Sequence, residues 1–376
     1  MLTPQEALIT LNLIPGLGSV RIQALLEFFG SAELVLSAPE KMLCMVPGIS
    51  ARIAAAIVDW RNCTNAAAEI RYAQDFGVRI VTLLDEEYPD YLRRMNDPPV
   101  VLYVRGNWLQ SDSERSVSIV GTRRATPYGI TTARQFAREL ADNGCTIISG
   151  LARGIDTAAH WGALDAGGRT LAVLGFGMAT LYPPENAELA DCICQGQGAL
   201  ISEFPMNVAP NRATFPQRNR IVAAWSRATV VAEAPDHSGA LQTAGMAAAD
   251  YGNSVFAIPG PINQLNSRGC HALIRDGAIL CSSPYDILSD MDWLQQPRQM
   301  ELFAEQAEPM RIPPVRKALT HDEAHELIQA ISAGHDTLDA LCSALGRGAH
   351  TITPMLMRLQ IEHRIIPLPG GRFQAL

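Results

Sequence analysis

Short apolar runs alternate with amphipathic or alanine-rich stretches over residues 78–282, and this alternation constrains the fold more than any other feature of the chain. The strand-like runs lie at 78–83, 100–104, 117–120, 146–148, 170–174, 199–201, 229–231 and 255–258. The helix-like stretches lie at 129–142, 157–166, 217–225 and 240–251. Apolar strands separated by helices are typical of a parallel sheet that is covered on both faces. The sequence therefore predicts an α/β fold, an extended Rossmann-like, doubly wound parallel sheet, as a core domain over residues 71–284.

An internal repeat precedes this core. The segment 14–22, which contains Pro15 and Gly16, is echoed at 46–53, which contains Pro47 and Gly48. Each copy has the pattern of a helix-hairpin-helix, in which backbone N–H groups of the turn and of the next helix can bind a phosphate. A pair of helical hairpins used only for packing gives the same pattern. We therefore expect a helical helix-hairpin-helix-like domain (SAM-like) over residues 1–70 and leave its contact with DNA open.

The C-terminal part of the chain contains two segments with different sequence patterns. Residues 285–317 are rich in proline and acidic side chains without clear periodicity, which is typical of a linker. Residues 318–376 resume helical spacing and end in two short apolar runs around Pro369 and Gly370. Three helices followed by a hairpin predict a winged helix. The numbers of cationic and acidic side chains are similar in this segment. We therefore favour a protein-contact or regulatory role over recognition of DNA.

Composition excludes several classes of protein. The net charge of −8 argues against a chain that coats nucleic acid by overall positive charge, although it permits a local basic groove. No apolar run reaches the roughly 18 residues of a membrane span, and the first residues lack the pattern of a signal peptide. The eight cysteines are scattered without zinc or thioredoxin spacing. We expect a cytoplasmic protein with no metal, no cofactor and no membrane contact.

Small and cationic residues follow several of the predicted strands, at the sheet edge where ligands of such folds bind. Three Gly/Ser/Thr-rich helix starts can bind anions through their N–H groups. The pattern is neither a dinucleotide fingerprint nor a P-loop, so NAD and ordinary ATPase chemistry are disfavoured. The residues concerned are Gly121, Thr122, Arg123, Arg124, Ser149, Gly150, Arg153, Gly154, Arg218, Arg220, Ser238, Gly239 and Thr243. Together they predict a site for several phosphates.

Other residues in these loops have two interpretations. Four aromatic residues are candidates for stacking on bases: Tyr128, Phe176, Tyr182 and Phe215. The other interpretation is that each of them packs in the hydrophobic core. His160 is a candidate general base, yet a helical histidine beside a tryptophan is more often a packing residue. We therefore predict no catalytic residue.

Seven ordered motifs resemble the DNA-processing protein A (DprA/Smf) family. They are Ser-Ile-Val-Gly-Thr-Arg (118–123), Ser-Gly-Leu-Ala-Arg-Gly-Ile-Asp-Thr-Ala-Ala-His (149–160), Tyr-Pro-Pro-Glu-Asn (182–186), Ile-Ser-Glu-Phe-Pro (201–205), Phe-Pro-Gln-Arg-Asn-Arg-Ile-Val (215–222), Ser-Gly-Ala-Leu-Gln-Thr-Ala (238–244) and Val-Phe-Ala-Ile-Pro-Gly (255–260). The resemblance covers the whole chain. It implies a homodimer that binds single-stranded DNA, protects it, and loads the RecA recombinase on incoming DNA during natural transformation.

The resemblance also implies roles for individual residues. Side-chain contacts to DNA would come from Arg123, Arg218, Asn219 and Arg220, and backbone contacts to phosphate from Gly121, Thr122, Gly150, Gly154, Ser238 and Gly239. The dimer surface maps to His271, Ile274, Ile279 and Leu280. The chain departs from the family at position 271, where asparagine is frequent, so the details of the dimer edge stay open.

An enzyme of related fold is the alternative. Nucleotide-sugar (nucleoside monophosphate) phosphoribohydrolases have a similar core, and cleavage of an N-glycosidic bond needs a carboxylate near the sugar. The equivalent stretch, 235–244, keeps a phosphate-binding helix start but carries no glutamate on the next helical turn. Glu203 and Glu233 end strands at the same edge and could serve, although a strand-end glutamate more often anchors a loop. We therefore favour a non-catalytic protein.

Overall fold

The computed structural model describes residues 2–294, 321–368 and 371–376. The chain divides into two compact units, Met1–Pro297 and Arg298–Leu376. The division into four parts at residues 70, 284 and 317 remains a prediction, since the first compact unit contains both the helical front and the sheet.

The front of the chain is helical. Its helices are α1 (Pro4–Leu13), α2 (Ser19–Phe29), α3 (Ala32–Ser37), α4 (Glu40–Leu43), α5 (Ala51–Val58), α6 (Trp60–Cys63) and α7 (Ala66–Asp75). Helix α1 begins with a capping box between Thr3 and Glu6. The repeated turns before α2 and α5 place Gly16 and Gly48 at the same φ of 81°, a left-handed conformation that favours glycine. The predicted tandem of helical hairpins is therefore present.

A nine-stranded sheet follows within residues 79–280, all of which are described. Its strands are β1 (Arg79–Thr82), β2 (Val101–Gly106), β3 (Ser116–Val120), β4 (Thr146–Ser149), β5 (Thr170–Leu174), β6 (Gly198–Ser202), β7 (Ala228–Val231), β8 (Ser254–Ala257) and β9 (Ile279–Leu280). The helices between and after them are α8 (Asp90–Arg93), α9 (Pro127–Asp142), α10 (Ile155–Asp165), α11 (Ala187–Cys192), α12 (Thr214–Trp225), α13 (Gly239–Ala249), α14 (Arg268–Arg275) and α15 (Pro284–Asp290). The strand order is β1-β2-β6-β5-β4-β3-β7-β8-β9.

Adjacent strand residues enter opposite layers of the core. Val120 and Ile148 pack with the α12 and α13 side chains, whereas their neighbours Ile119 and Ile147 pack with those of α9 and α10. Since side chains alternate along a strand, helices cover both faces of the sheet, as the doubly wound prediction requires.

The prediction of an entirely parallel sheet needs one correction. Strand β2 runs antiparallel to both of its neighbours, β1 and β6, while the remaining pairs are parallel. An apolar run has the same pattern in a parallel and in an antiparallel strand, so the alternation of runs and helices does not predict the direction of β2. The sheet is therefore mostly parallel.

Two further differences concern the end of the core. The edge strand β9 has only two residues, so its apolar pattern was too short to predict. Helix α15 lies at the start of the predicted linker, where Ile287 and Leu288 are buried against the α9 layer. Most of that predicted linker, 295–317, lies outside the described residues.

The second unit contains α16 (His321–Ser332), α17 (Leu338–Leu345) and α18 (Ala349–Ile361), followed by the antiparallel pair β10 (Ile365–Leu368) and β11 (Arg372–Ala375). Its own core includes Leu327, Leu341 and Leu359. The predicted turn at 369–370 lies outside the described residues. Within the ranges that the structure covers, no helix is long and apolar enough to span a membrane.

Candidate functional site

A cavity of about 380 Å³ opens where β3 and β7 lie side by side. The chain leaves β3 towards β4 on one side of this point and leaves β7 towards β8 on the other. Such a switch point separates two loops at the carboxyl ends of the strands and is the usual ligand site of these folds. The lining comes from the segments after β3, β4 and β7 and from the start of α12: Val120, Gly121, Thr122, Arg123, Gly150, Ala152, Asp156, Arg212, Phe215, Pro216, Arg218, Asn219, Val222, Ser238, Gly239, Ala240, Gln242 and Thr243.

The loop after β3 is held by a buried carboxylate. Both the backbone N–H and the hydroxyl of Thr126 donate to Glu233, at 2.9 and 2.6 Å. The carbonyl oxygen of Glu233 accepts from the N–H of Thr122 at 2.7 Å. This strand-end glutamate therefore anchors a loop, and its oxygens are engaged in hydrogen bonds. The arrangement fixes the start of α9 next to Arg123.

The loop after β4 is held by a second carboxylate. Asp156 is buried and accepts from the N–H groups of Gly150 and Ala152, at 3.1 and 3.3 Å. Burial raises the pKa of Asp156, and the charge of Arg218 opposes that shift. Gly154 closes the loop with a φ of 78°, and a side chain there would collide with the Thr122 carbonyl oxygen. The two loops thus pack tightly against each other beside the cavity.

Arg218 forms the floor of the cavity. It is only 5% exposed, and its Nη1 donates to the carbonyl oxygen of Gly150 at 2.8 Å and to that of Val173. Burial lowers the pKa of this guanidinium to about 10, so it keeps its charge at neutral pH. Because Val173 is in β5 and Gly150 follows β4, Arg218 ties together the carboxyl ends of two strands.

The rim of the cavity carries the accessible donors. The exposed Arg123 lies over the ring of Phe215, with 4.5 Å between Cζ and the ring centroid. Helix α13 begins at the exposed Gly239, and the N–H groups of its N-terminus form the positive end of the helix dipole, which can bind an anion. Ser238 caps this helix by accepting from the N–H of Leu241 at 3.4 Å.

The predicted residues separate into two groups. The cavity brings together Gly121, Thr122, Arg123, Gly150, Arg218, Asn219, Ser238, Gly239 and Thr243. The remaining five do not line it: Arg124, Ser149, Arg153, Gly154 and Arg220. Ser149 is buried and donates to the Ile119 carbonyl oxygen at 2.7 Å, which ties β4 to β3.

Two arginines outside the cavity are engaged in ion pairs. Arg153 pairs with Glu185 across two loops, with 3.1 Å between Nη2 and Oε2. Arg220 pairs with Asp97 at 2.9 Å and with the buried Glu203 at 2.6 Å. The Ser19 hydroxyl at the start of α2 also reaches Glu203, at 3.4 Å, so this cluster joins the first helical hairpin to the sheet.

His160 is fully buried. Its Nδ1 lies 2.6 Å from the hydroxyl of Thr170, and burial, with the nearby charge of Arg218, lowers its pKa to about 3. The structure thus supports packing rather than general-base chemistry at this position. Among the other residues with two interpretations, Phe176 is in the core, whereas Phe215 lines the cavity.

The residues predicted for a dimer surface lie at the far edge of the sheet. On β9, which pairs only with β8 within the part of the chain that is described, Ile279 and Leu280 are 37% and 50% exposed. Ile274 on α14 is half-buried against the core, and His271 Nε2 lies 3.0 Å from the Gly260 carbonyl oxygen.

Sequence reasoning missed Arg212, which lines the cavity from the segment before α12. That segment has no periodicity, and its arginine belongs to none of the quoted motifs. Within the described ranges, no group of three or more His, Cys, Asp or Glu side chains could hold a metal ion.

Comparisons with known proteins agree on one family. The family model for DNA recombination-mediator protein A matches residues 79–292, and that for a SAM-like helix-hairpin-helix tandem matches 7–59. Protein Smf of Escherichia coli K12 is 36% identical over 290 residues, which cover 76% of this chain and 74% of that protein.

Two solved structures are similar as well. The X-ray structure of DNA processing protein A from Streptococcus pneumoniae has a TM-score of 0.67 and 33% identity, covering 77% of this chain and 99% of that one. A structure of DNA processing protein A from Helicobacter pylori, described for its single-stranded DNA binding mode, has a TM-score of 0.50 and 30% identity, covering 56% of this chain and 95% of that one.

Proposed function

The chain belongs to the DNA recombination-mediator protein A family, and from this premise we propose that it binds single-stranded DNA in the cavity between β3 and β7 without catalysing a reaction. One observation carries the proposal: the exposed Arg123 and the N-terminus of α13 lie at the rim of the cavity, whose floor is the buried, positively charged Arg218. Phosphates of one strand bind to these groups, and bases pack on the apolar lining that includes Phe215.

The carboxylates of the candidate site are engaged in hydrogen bonds or ion pairs. Asp156 is the acidic side chain that lines the cavity, and it is buried and accepts two backbone N–H bonds. Glu203 and Glu233, the carboxylates that a phosphoribohydrolase would use, are occupied by Arg220 and by Thr126. A hydrolase needs a carboxylate that reaches the sugar or a water molecule. These engaged side chains favour binding over N-glycosidic cleavage.

The family resemblance implies further properties of this protein. The protein protects incoming single-stranded DNA and loads the RecA recombinase during natural transformation. It acts in the cytoplasm as a homodimer through the β9 edge, where Ile279 and Leu280 expose apolar surface. The three helices and the β10–β11 pair of the second unit constitute a winged helix. Because Arg347, Arg358 and Arg372 pair with acidic neighbours there, this unit contacts protein rather than DNA.

Substitution of Arg123 tests the assignment of the cavity. Arg123→Glu removes one phosphate contact and places a negative charge at the rim. For a single strand each contact contributes about 0.7 to the slope of log K against log salt, or about fivefold at 0.1 M salt. The affinity for single-stranded oligonucleotides should therefore fall about fivefold or more, and by the same factor for oligonucleotides of different sequence. Arg138→Glu, on the outer side of α9 and paired with Asp142 at 4.0 Å, is the matched control. Equal affinity of both variants would disprove the assignment.

A further inference from the structure

The first helical hairpin directs the start of its second helix at the core of the protein. Helix α2 begins at Ser19, after Gly18, and has no side-chain cap. This is the position at which a helix-hairpin-helix can bind a phosphate. In the structure the Ser19 hydroxyl donates to the carboxylate of Glu203 at 3.4 Å, and Glu203 is only 8% exposed. A buried carboxylate of the core is therefore the anion at this helix start.

The second hairpin is arranged differently. Helix α5 begins at the exposed Ala51, and its cap, Ser50, accepts from an N–H group of the same helix. Arg21, a cation of the first hairpin, donates to the carbonyl oxygens of Gly16 and Gly48, at 2.8 and 3.0 Å. Because this side chain joins the two repeated turns, we expect the two hairpins to move as one body.

Glu203 continues the contact into helix α12. Nη2 of Arg220 lies 2.6 Å from Glu203 Oε2, and Nε of Arg220 lies 2.9 Å from a carboxylate oxygen of Asp97. Burial raises the pKa of Glu203, and the charge of Arg220 opposes that shift. A buried carboxylate is costly without its donors, so Ser19 and Arg220 depend on each other through Glu203. Arg220 follows Arg218 by two residues in the helix whose first turns line the cavity.

Two more hydrogen bonds hold the helical front, α1 to α7, on the same region. The side-chain amide of Asn12 donates to the carbonyl oxygen of Glu203 at 3.4 Å. The side-chain amide of Gln23 donates to the carbonyl oxygen of Pro98 at 3.0 Å, next to the carboxylate that pairs with Arg220. Both acidic partners of Arg220 thus belong to segments that the front contacts. A displacement of the front would therefore disturb the position of α12.

We propose that the helical front positions the cavity for DNA: the contact from Ser19 through Glu203 to Arg220 holds the start of α12 in the conformation that binds a single strand. This inference rests on the proposed binding of single-stranded DNA. It gives the first hairpin a contact with the core in place of a contact with DNA. It also makes Arg220 a positioning residue, in place of the DNA contact that the sequence predicted.

Ser19→Asp tests the coupling without any change in α12. The new carboxylate faces Glu203 and repels it, whereas aspartate is favourable in the first turn of a helix, so α2 should persist. We expect the affinity for labelled poly-dT at 0.1 M salt to fall roughly two- to thirtyfold, the range for substitutions within a coupling network. The slope of log K against log salt should equal that of the wild type, because no phosphate contact is lost.

Ala51→Asp is the matched control, since it makes the same change at the exposed start of α5 and should alter neither affinity nor slope. Arg220→Gln removes the last member of the contact and should weaken binding with an unchanged slope. Circular dichroism gives the folded fraction of each variant, and affinities are compared per folded protein. A front that only stabilised the fold would leave this affinity unchanged in Ser19→Asp.

The outcomes separate the inference from the function beneath it. Weaker binding by Ser19→Asp and Arg220→Gln at an unchanged slope, with wild-type binding by Ala51→Asp, supports the coupling. Wild-type affinity of Ser19→Asp overturns the coupling and leaves the proposed function in place. Equal losses in Ser19→Asp and Ala51→Asp, or a slope that is smaller by about 0.7 in Arg220→Gln, indicate direct contact with DNA and also overturn the coupling. If the wild type does not bind poly-dT, the proposed function fails and the inference fails with it.

Discussion

Replacement of Gly150 by alanine tests whether the floor of the cavity is as rigid as its contacts indicate. A Cβ atom at this position would lie closer than 3.0 Å to Nη1, Nη2 and Cζ of Arg218. The guanidinium has nowhere to move without cost, since it is buried and donates to the carbonyl oxygens of Gly150 and Val173. Hydrogen bonds from a charged group contribute about 1.5–3 kcal/mol each. Loss of both predicts a decrease of about 3–6 kcal/mol in the free energy of unfolding.

Denaturation by urea, followed by tryptophan fluorescence, measures this change, because Trp108 and Trp225 are buried in the sheet core. Gly245→Ala is the matched control. Gly245 lies inside α13, which also lines the cavity, and a Cβ atom there meets nothing within 4 Å. Alanine in a helix interior should stabilise the protein by about 0.5–1 kcal/mol. If Gly150→Ala stays within about 1 kcal/mol of the wild type, Arg218 is not locked in place and the rigidity of the cavity floor is refuted.

Two further predictions concern stability and assembly. The folded-state pKa of His160 is lowered to about 3 from an ordinary value near 6.5, so the unfolded state binds more protons between these pH values. As the pH falls through this window, His160 should therefore lower the free energy of unfolding by about 1.4 kcal/mol per pH unit. Denaturation of His160→Gln at a series of pH values should lack this contribution. Identical pH slopes for the variant and the wild type would contradict the prediction. Ile279→Glu and Leu280→Glu place a charge on the exposed β9 edge, and we expect these variants to be monomers in analytical ultracentrifugation. Leu84 is exposed but lies outside the predicted dimer surface, so Leu84→Glu should leave the dimer intact. An unchanged sedimentation coefficient for the β9 variants would remove the dimer assignment.

The layered core was predictable because its pattern is local. Each apolar run between 117 and 258 becomes a buried parallel strand, and the helices between them cover both faces. Strand β2 was the exception in direction, since an apolar run has the same appearance in a parallel and an antiparallel neighbour. Strand β9 was missed because two residues carry no period. Both errors concern pairing, which depends on the rest of the fold.

The pattern of small residues after strands predicted several loops that line one cavity in the structure, including those at Gly121, Gly150 and Gly239. That these loops bind DNA stays a prediction. Sequence reasoning treated Arg218 and Arg220 as DNA contacts, whereas the structure engages them with carbonyl oxygens and carboxylates far away in the chain, such as Asp97. Such long-range partners leave no local signature. Arg212 was missed for a different reason, because its segment has no periodicity and belongs to none of the quoted motifs.

The most direct test of the account is fluorescence anisotropy of the wild-type protein with labelled poly-dT over a salt series, in the presence and absence of unlabelled duplex. If Arg123 binds a phosphate, the slope of log K against log salt should be about −0.7 or steeper. Binding should also resist duplex competition and be similar for mixed-sequence oligonucleotides. A flat salt dependence, or displacement by duplex as efficient as by single strand, would contradict the proposal that this cavity binds a single strand through its phosphates.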